Sequence, residues 1–406
     1  MKLTPIINTL METDAYKFSM GQCIFHQFNS YTTTWEFRCR NQNVKFTPEM
    51  IDEIEAQIKH YCTLRFSEDE LHWLGKNLPW IHKDYLDYLR LWRPRVEEIR
   101  VTNENPYNDC GLGITTHGTW LNTSMYEIAI LAIVNEVYFS FTVNASGTEH
   151  LLEFEKRTFR NFEKLSNMNI HPVFSEFGLR RRFTGYTQDW LVEYLSKCAP
   201  GSENFVGTSN VNLARKHNVK AVGTQAHEFI MCVGQGNPKH NPAYSNWYAM
   251  DAWIREYSVM NGIVLADTIG TDVFLRDFGL TYATLFSGVR HDSGDPLQWG
   301  DKIIKHYEKL GIDPNTKTLL FSDSLNFDKV YEIERYFEGR CKTAYGIGTF
   351  LSNPFPNPLN IVMKVVYCNG LPVAKLSDTP GKGMCQDENY LKYLQRCIDW
   401  RMKGEA

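Results

Sequence analysis

Eight positions carry side chains or backbone able to do chemistry, and each follows a short apolar run within a few residues: Arg180, Ser209, His227, Asp267, Arg290, Asp292, Asp323 and Gly348. Arginine presents planar, forked donors that hold phosphates or carboxylates bidentately. Arg180 opens a run of three arginines, expected to split, with Arg180 and one neighbour turned inward and the third in solvent. His227 stands between Thr224-Gln225 and Glu228. An imidazole there can be a general base or a nucleophile, with a neighbouring carboxylate setting its tautomer; the plainer alternative is a satisfied structural histidine. Asp267, Asp292 and Asp323 could bind a sugar's hydroxyls or Mg²⁺ carried by a polyphosphate, or simply cap helices, Asp323 above all. In Gly346-Ile347-Gly348-Thr349 the glycines let backbone N–H groups converge on a phosphate, to which Thr349 adds a hydroxyl.

The elements that must position these groups read as a βα rhythm. Seven apolar runs with polar tails occur from residue 172 onward: Pro172–Arg182, Asn204–Asn210, Lys220–Glu228, Gly262–Gly270, Leu285–Asp295, Thr318–Asn326 and Thr343–Phe350. Each is followed by helical periodicity, as in a parallel sheet. In a βα barrel all such tails open on one face, where the active site is expected. Asp323 or Ser324 is the expected cap of the helix that follows, and Pro296 opens another that stops at Gly311. Before this region, Thr32–Arg40, Val96–Thr102 and Gly113–Trp120 alternate like half-buried strands, with a helix over Pro48–Tyr61. Three prolines in Asn353–Pro358 mark a boundary, and a hairpin turning at Asn369-Gly370 follows. The fold class expected is α/β: an irregular βα barrel of about seven parallel strands over 126–356, plus a discontinuous α/β sandwich domain from 1–125 with 357–406.

Composition narrows the function. With 43 Lys plus Arg against 47 Asp plus Glu, the net charge of −4 gives no basic surplus for a nucleic-acid backbone. The longest uninterrupted apolar run, Ile128–Val134, is far short of the ~20 residues a bilayer requires, so no membrane partner is expected. Glu12 and Asp14 interrupt any secretory signal, and ten cysteines without a C-x-x-C pair read as reduced thiols, so a cytoplasmic location is expected. No P-loop, dinucleotide fingerprint, hydrolase elbow or zincin motif occurs, Thr379–Lys382 lacking the P-loop spacing. No lysine stands at a strand exit to form a Schiff base, which disfavours an aldolase.

Thr13–Gln22, Glu176–Arg182, Phe205–Asn210, Gly223–Phe229, Leu275–Gly279, Arg290–Pro296, Phe321–Asn326, Tyr345–Thr349 and Ala374–Lys382 together resemble the nicotinate phosphoribosyltransferase family, in order and across nearly the whole chain. The resemblance implies a type II phosphoribosyltransferase barrel, an N-terminal sandwich rejoined by the C-terminus, and a homodimer with shared active sites. It implies that nicotinate and phosphoribosyl pyrophosphate give nicotinate mononucleotide and pyrophosphate, the entry step of NAD salvage. ATP, a co-substrate, would be hydrolysed through a phosphohistidine; Mg²⁺ would be required, its ligands unknown, with no tightly bound organic cofactor. His227 matches the phosphorylated histidine and Thr224 a substrate-contacting threonine. Tyr16 matches the tyrosine that covers the pyridine ring, reaching the neighbouring subunit's site, and Phe177 is taken as a further substrate-binding residue. Arg180 and Arg290 match arginines that hold nicotinate and the phosphoribosyl donor, with Asp292 beside the ribose and Asp267 and Asp323 as ribose or Mg-pyrophosphate candidates. Gly346, Gly348 and Thr349 match the 5′-phosphate loop. Ser209 stands where the resembling nicotinamide enzymes carry an aspartate. A nicotinamide-specific enzyme, or a non-catalytic nucleotide-binding protein on the same scaffold, are the alternatives.

Overall fold

The structure, a computed structural model, describes residues 2–105, 109–143, 147–379, 385 and 387–404. Two sheets organise it. The first is antiparallel and built from β1 (Thr32–Cys39), β2 (Ile99–Thr102), β3 (Gly113–Thr119), β11 (Ile361–Cys368) and β12 (Leu371–Pro372) in the order β12-β11-β1-β3-β2. The second is parallel: β4 (Phe174–Glu176), β5 (Phe205–Thr208), β6 (Lys220–Ala221), β7 (Ile263–Leu265), β8 (Gly288–His291), β9 (Thr318–Phe321) and β10 (Lys342–Ile347). Its order is β6-β5-β4-β10-β9-β8-β7, so the first and last strand groups meet at β4–β10 and the curled barrel stays unjoined between β6 and β7. All seven expected strands are present.

Local chemistry explains most boundaries. Thr47 caps the helix Pro48–Tyr61 with Pro48 in its first turn. Asp295 caps Pro296–Lys309, accepting from the Leu297 and Gln298 amides, and Gly311 follows at φ +73°. Asn369 and Gly370, both at positive φ, turn β11 into β12. One expectation fails at the helix Phe327–Phe337: its cap is Asn326, whose side chain accepts from the Lys329 amide at 2.9 Å. Neither Asp323 nor Ser324 caps it, because both lie in the tail before the cap position.

The helix Tyr126–Val143 is hydrophobic on all sides because every side of it is covered. Ile128–Val134 are almost fully buried, and the helix packs on Pro48–Tyr61, on the turn Leu179–Arg181 and on β11. Counting only the uninterrupted run understated it. Trp120–Val143, 24 residues, is long and apolar enough to cross a membrane by length and composition, but most of it is buried inside the protein.

Candidate active site

The strand tails and β11 enclose a cavity of about 740 Å³. Of the expected site residues, Tyr16, Phe177, Arg180, Ser209, His227, Arg290, Asp292, Asp323, Gly346, Gly348 and Thr349 line it. Thr224 and Asp267 stand just behind the wall.

His227 opens the helix His227–Gln235, and its Nε2 lies 2.9 Å from Asp267 Oδ1 and 3.7 Å from Asp292 Oδ2. Asp267, delivered by β7, also accepts from Ser293 Oγ at 2.5 Å and pairs with Lys375 Nζ at 2.9 Å. Burial alone would raise the Asp267 carboxyl, but His227 and Lys375 hold it well below the usual carboxylate range. It is therefore a pure acceptor, so neutral His227 carries its hydrogen on Nε2 and leaves the Nδ1 lone pair free. Burial, reinforced by the Lys375 charge, pulls the imidazole down to about 4. The carboxylate that sets the tautomer is thus Asp267 rather than the adjacent Glu228, which turns away to Lys17.

Arg290 leaves β8 and is held on three sides. Its Nε donates to Ser322 Oγ at 2.7 Å, Nη1 to Thr224 Oγ1 at 2.9 Å and to the Gln225 carbonyl at 3.1 Å, and Nη2 to Asp292 Oδ1 at 2.9 Å. Thr224 thus acts on the cavity through Arg290. His227, Asp267 and Asp292 form a group that could hold a metal ion, with ligand atoms within 4.8 Å of one another. Lys375 Nζ, 2.9 Å from Asp267 and 3.7 Å from Asp292, already neutralises those carboxylates.

The three arginines separate by environment. Arg180 lines the cavity with its side chain 38% exposed, 4.0 Å from Glu127. Arg181 donates to the Ile361 carbonyl at the start of β11, and burial beside Arg180 and Arg40 pulls it down to about 9. Arg182 is fully buried on Glu12 and Glu136. The expectation that one of the three stays in solvent is therefore wrong: buried acids recruit the third arginine inward.

At the other end of the cavity Ser209 Oγ donates to Asp14 Oδ1 at 2.6 Å, and Tyr16 and Arg180 face the same space. Burial raises the Asp14 carboxyl, against the pull of Ser209 and Arg180. Ser209 does not cap the following helix; Asn210 does, accepting from the Asn212 and Leu213 amides. Tyr16 lines the cavity of its own chain, on the helix Ala15–Gln27, which is anchored by the Ala15 amide on the Ser209 carbonyl. Gly346 is required where it stands, because a Cβ there would lie 2.5 Å from the Phe177 ring.

Among the described residues, five charged cavity groups escape a reading based on the barrel's strand tails: Asp14, Arg40, Glu127, Lys364 and Lys375. Lys364 is the one charged residue in the apolar run Ile361–Val366, a signal that marks a strand position facing something other than core. Burial, with Arg180 and Lys375 near, pulls its ammonium down to about 8. Lys375 belongs to the Ala374–Lys382 motif, of which residues 380–382 lie outside the described residues.

A curled parallel barrel whose strand exits converge arginines and a carboxylate-bound histidine on one cavity, with lysines added from the other sheet, defines an enzyme of the phosphoribosyltransferase type. A family model, Nicotinate phosphoribosyltransferase (NAPRTase) family, matches residues 173–400, and the corresponding N-terminal domain model matches residues 11–135. The chain belongs to the nicotinate phosphoribosyltransferase family. It is 43% identical over 393 residues to a nicotinate phosphoribosyltransferase of Cupriavidus necator, covering 96% of this chain and 98% of the relative. A relative of the same name from Ralstonia nicotianae is 42% identical over 397 residues, with the same coverage. Among solved structures, the nicotinate phosphoribosyltransferase of Vibrio cholerae superposes with a TM-score of 0.90 at 35% identity, covering 97% of this chain and 94% of that one. That of Porphyromonas gingivalis gives 0.88 at 34% identity, with 97% and 100% covered.

Proposed function

We propose that this chain transfers the phosphoribosyl group of 5-phosphoribosyl 1-pyrophosphate to the ring nitrogen of nicotinate, releasing pyrophosphate, and couples the transfer to ATP hydrolysis through a phosphohistidine at His227. The observation that carries the reading is the His227–Asp267–Lys375 group at the wall of a cavity that also presents Arg180 and Arg290. Loss of pyrophosphate leaves an oxocarbenium-like ribose, so the reaction needs anion clamps and a positioned pyridine nitrogen more than a strong base. Arg180 and Arg290 supply the clamps for the carboxylate and the phosphates, Tyr16 and Phe177 flank the pyridine, and the Gly346–Thr349 loop receives the 5′-phosphate. Asp292 and Asp323 both line the cavity and would hold magnesium arriving with the polyphosphate, whose chemistry is to neutralise the leaving pyrophosphate. The uncommitted Nδ1 of His227 is the atom that would take the phosphoryl group.

In this reading the chain forms a homodimer with shared active sites, and the location is cytoplasmic. The deciding assay follows product from nicotinate and from nicotinamide, with and without ATP, and label from γ-labelled ATP on the protein. Nicotinate mononucleotide formed faster with ATP, with label on wild type and none on His227→Asn, is the expected result. His227→Asn should retain slow ATP-independent transfer, and persistent labelling of it would remove the histidine from the mechanism.

A further inference from the structure

Away from the cavity, three elements bring histidine and carboxylate side chains to one point. His26 comes from the last turn of the helix Ala15–Gln27, His82 is the residue before the helix Lys83–Leu91, and Glu256 comes from the helix Ser245–Tyr257. Each offers one ligand atom, and the three atoms lie within 4.8 Å of one another. On the other edge of the His26 ring, Asp84 Oδ2 is 3.1 Å from Nε2, opposite the Nδ1 that faces Glu256.

We propose that His26, His82 and Glu256 form a binding site for a divalent transition-metal ion of the zinc class. Two imidazoles and a carboxylate are a donor set that suits zinc, which takes histidine nitrogen and carboxylate oxygen at about 2.0–2.2 Å. Tetrahedral ligands at that distance stand about 3.4 Å apart, so the observed separation closes with side-chain movement alone. His26 Nδ1 lies 2.7 Å from Glu256 Oε1 while its Nε2 faces Asp84, so the ring touches a carboxylate at each nitrogen. A neutral imidazole has one N–H and can satisfy only one of them; a positive charge at the other nitrogen, a proton or a metal ion, satisfies the second. Glu256 is steadied from behind by Gln22 Nε2 at 2.8 Å, and the Gln22 Oε1 accepts from the His82 amide at 2.6 Å, so one glutamine fixes two of the three ligand residues. Outer contacts of this kind orient ligands in metal sites.

The site has a consequence for the rest of the chain. The helix that ends at His26 begins with Tyr16 and Lys17, the first lining the cavity and the second buried on Glu127 and Glu228. A metal at its far end would fasten that helix to Ser245–Tyr257, which packs against it, and to Lys83–Leu91.

The test uses the full chain freed of metal with a chelator, titrated with Co²⁺ followed by visible absorption and with Zn²⁺ followed by calorimetry and thermal unfolding. One equivalent should bind, with cobalt bands of a four- or five-coordinate nitrogen–oxygen site and a raised unfolding midpoint in zinc. His82 is exposed, so His82→Ala folds. It should weaken binding by at least about tenfold to 100-fold, the loss that even outer-shell partners cause, and should abolish the zinc-induced rise in midpoint. Glu256→Gln should do the same; should it fail to fold, the His82 variant alone decides. Absence of saturable binding to wild type, or equal affinity and an equal midpoint shift in His82→Ala, overturns the proposal, the second outcome placing the metal elsewhere, such as at His227.

Discussion

His227 presents a single available nitrogen, and that fixes both the product of its phosphorylation and the pH range in which it works. With Nε2–H directed at Asp267, phosphoryl transfer should give the Nδ1 isomer, a result that phosphorus–nitrogen coupling in NMR of the labelled protein distinguishes from the Nε2 isomer. Protonation of Nδ1 would remove the lone pair, and burial holds that event down at about 4 instead of the usual 6.5. The phosphorylation rate should therefore stay level as pH falls from about 8 to about 5, through the range where an exposed histidine loses activity, and decline only toward 4. Lys375→Met removes a cation that disfavours imidazolium, so the acid limb should move upward; an unmoved limb would exclude Lys375 as its cause. Ser209 gives the second residue-scale prediction. Its hydroxyl already serves Asp14, so Ser209→Asp would set two carboxylates against each other and against the carboxylate of nicotinate. Two unit charges about 4 Å apart repel by about 4 kcal/mol at an effective dielectric near 20. Nicotinate turnover should fall by about one to three orders of magnitude, at ~1.4 kcal/mol per tenfold. Unchanged steady-state kinetics would place pyridine recognition elsewhere.

Elements, more than single residues, explain which parts of the site could be read from the chain. The βα rhythm announces itself because buried parallel strands must be apolar and must end at a loop, so Arg290, Asp292, His227 and Gly348 stand out at the exits. Lys375 and Lys364 are invisible to that logic, since Lys364 sits on β11 of the other sheet, Lys375 follows β12, and both reach the cavity only through tertiary packing. Asp14 and Tyr16 arrive the same way, on an N-terminal segment whose position no local pattern encodes. The misplaced cap at Phe327–Phe337 has a local cause: three capping residue types, Asp323, Ser324 and Asn326, compete within four positions, and only the last meets the first-turn amide. Asn326→Ala should cost about 1 kcal/mol of stability in urea unfolding, the usual price of a lost side-chain cap. Asp323→Ala should leave stability nearly unchanged while weakening binding of phosphoribosyl pyrophosphate. The reverse pattern would return Asp323 to a structural role.

At the scale of the whole molecule, the N-terminal segment, the central helix and the barrel are joined by buried charge. Arg182 follows β4 and is 1% exposed; it binds Glu12 of the N-terminal segment and, at 3.4 Å, Glu136 of the helix Tyr126–Val143, and donates to the Ile6 carbonyl at 3.3 Å. Removing one partner of such a group leaves the others buried without a counter-charge, which costs about 3–5 kcal/mol. Arg182→Met should therefore destabilise the chain by that amount at pH 8. The loss should depend on pH in a definite direction. Burial raises Glu136 from 4.5 to about 7 even though Arg182 pulls it down, so its carboxylate is a cost to the folded state that protonation relieves. A group whose folded value lies above its unfolded one contributes stability fully below the unfolded value and loses it as pH rises through the folded value. Without Arg182 the folded value climbs further, which widens the window in which charged Glu136 penalises the fold. The penalty of Arg182→Met should thus shrink as pH is lowered from 8 toward 5. Urea unfolding of wild type and variant at both pH values measures it directly: a penalty under about 1 kcal/mol at pH 8, or one that grows on acidification, would mean that packing around the guanidinium, and not its charge, joins the three parts.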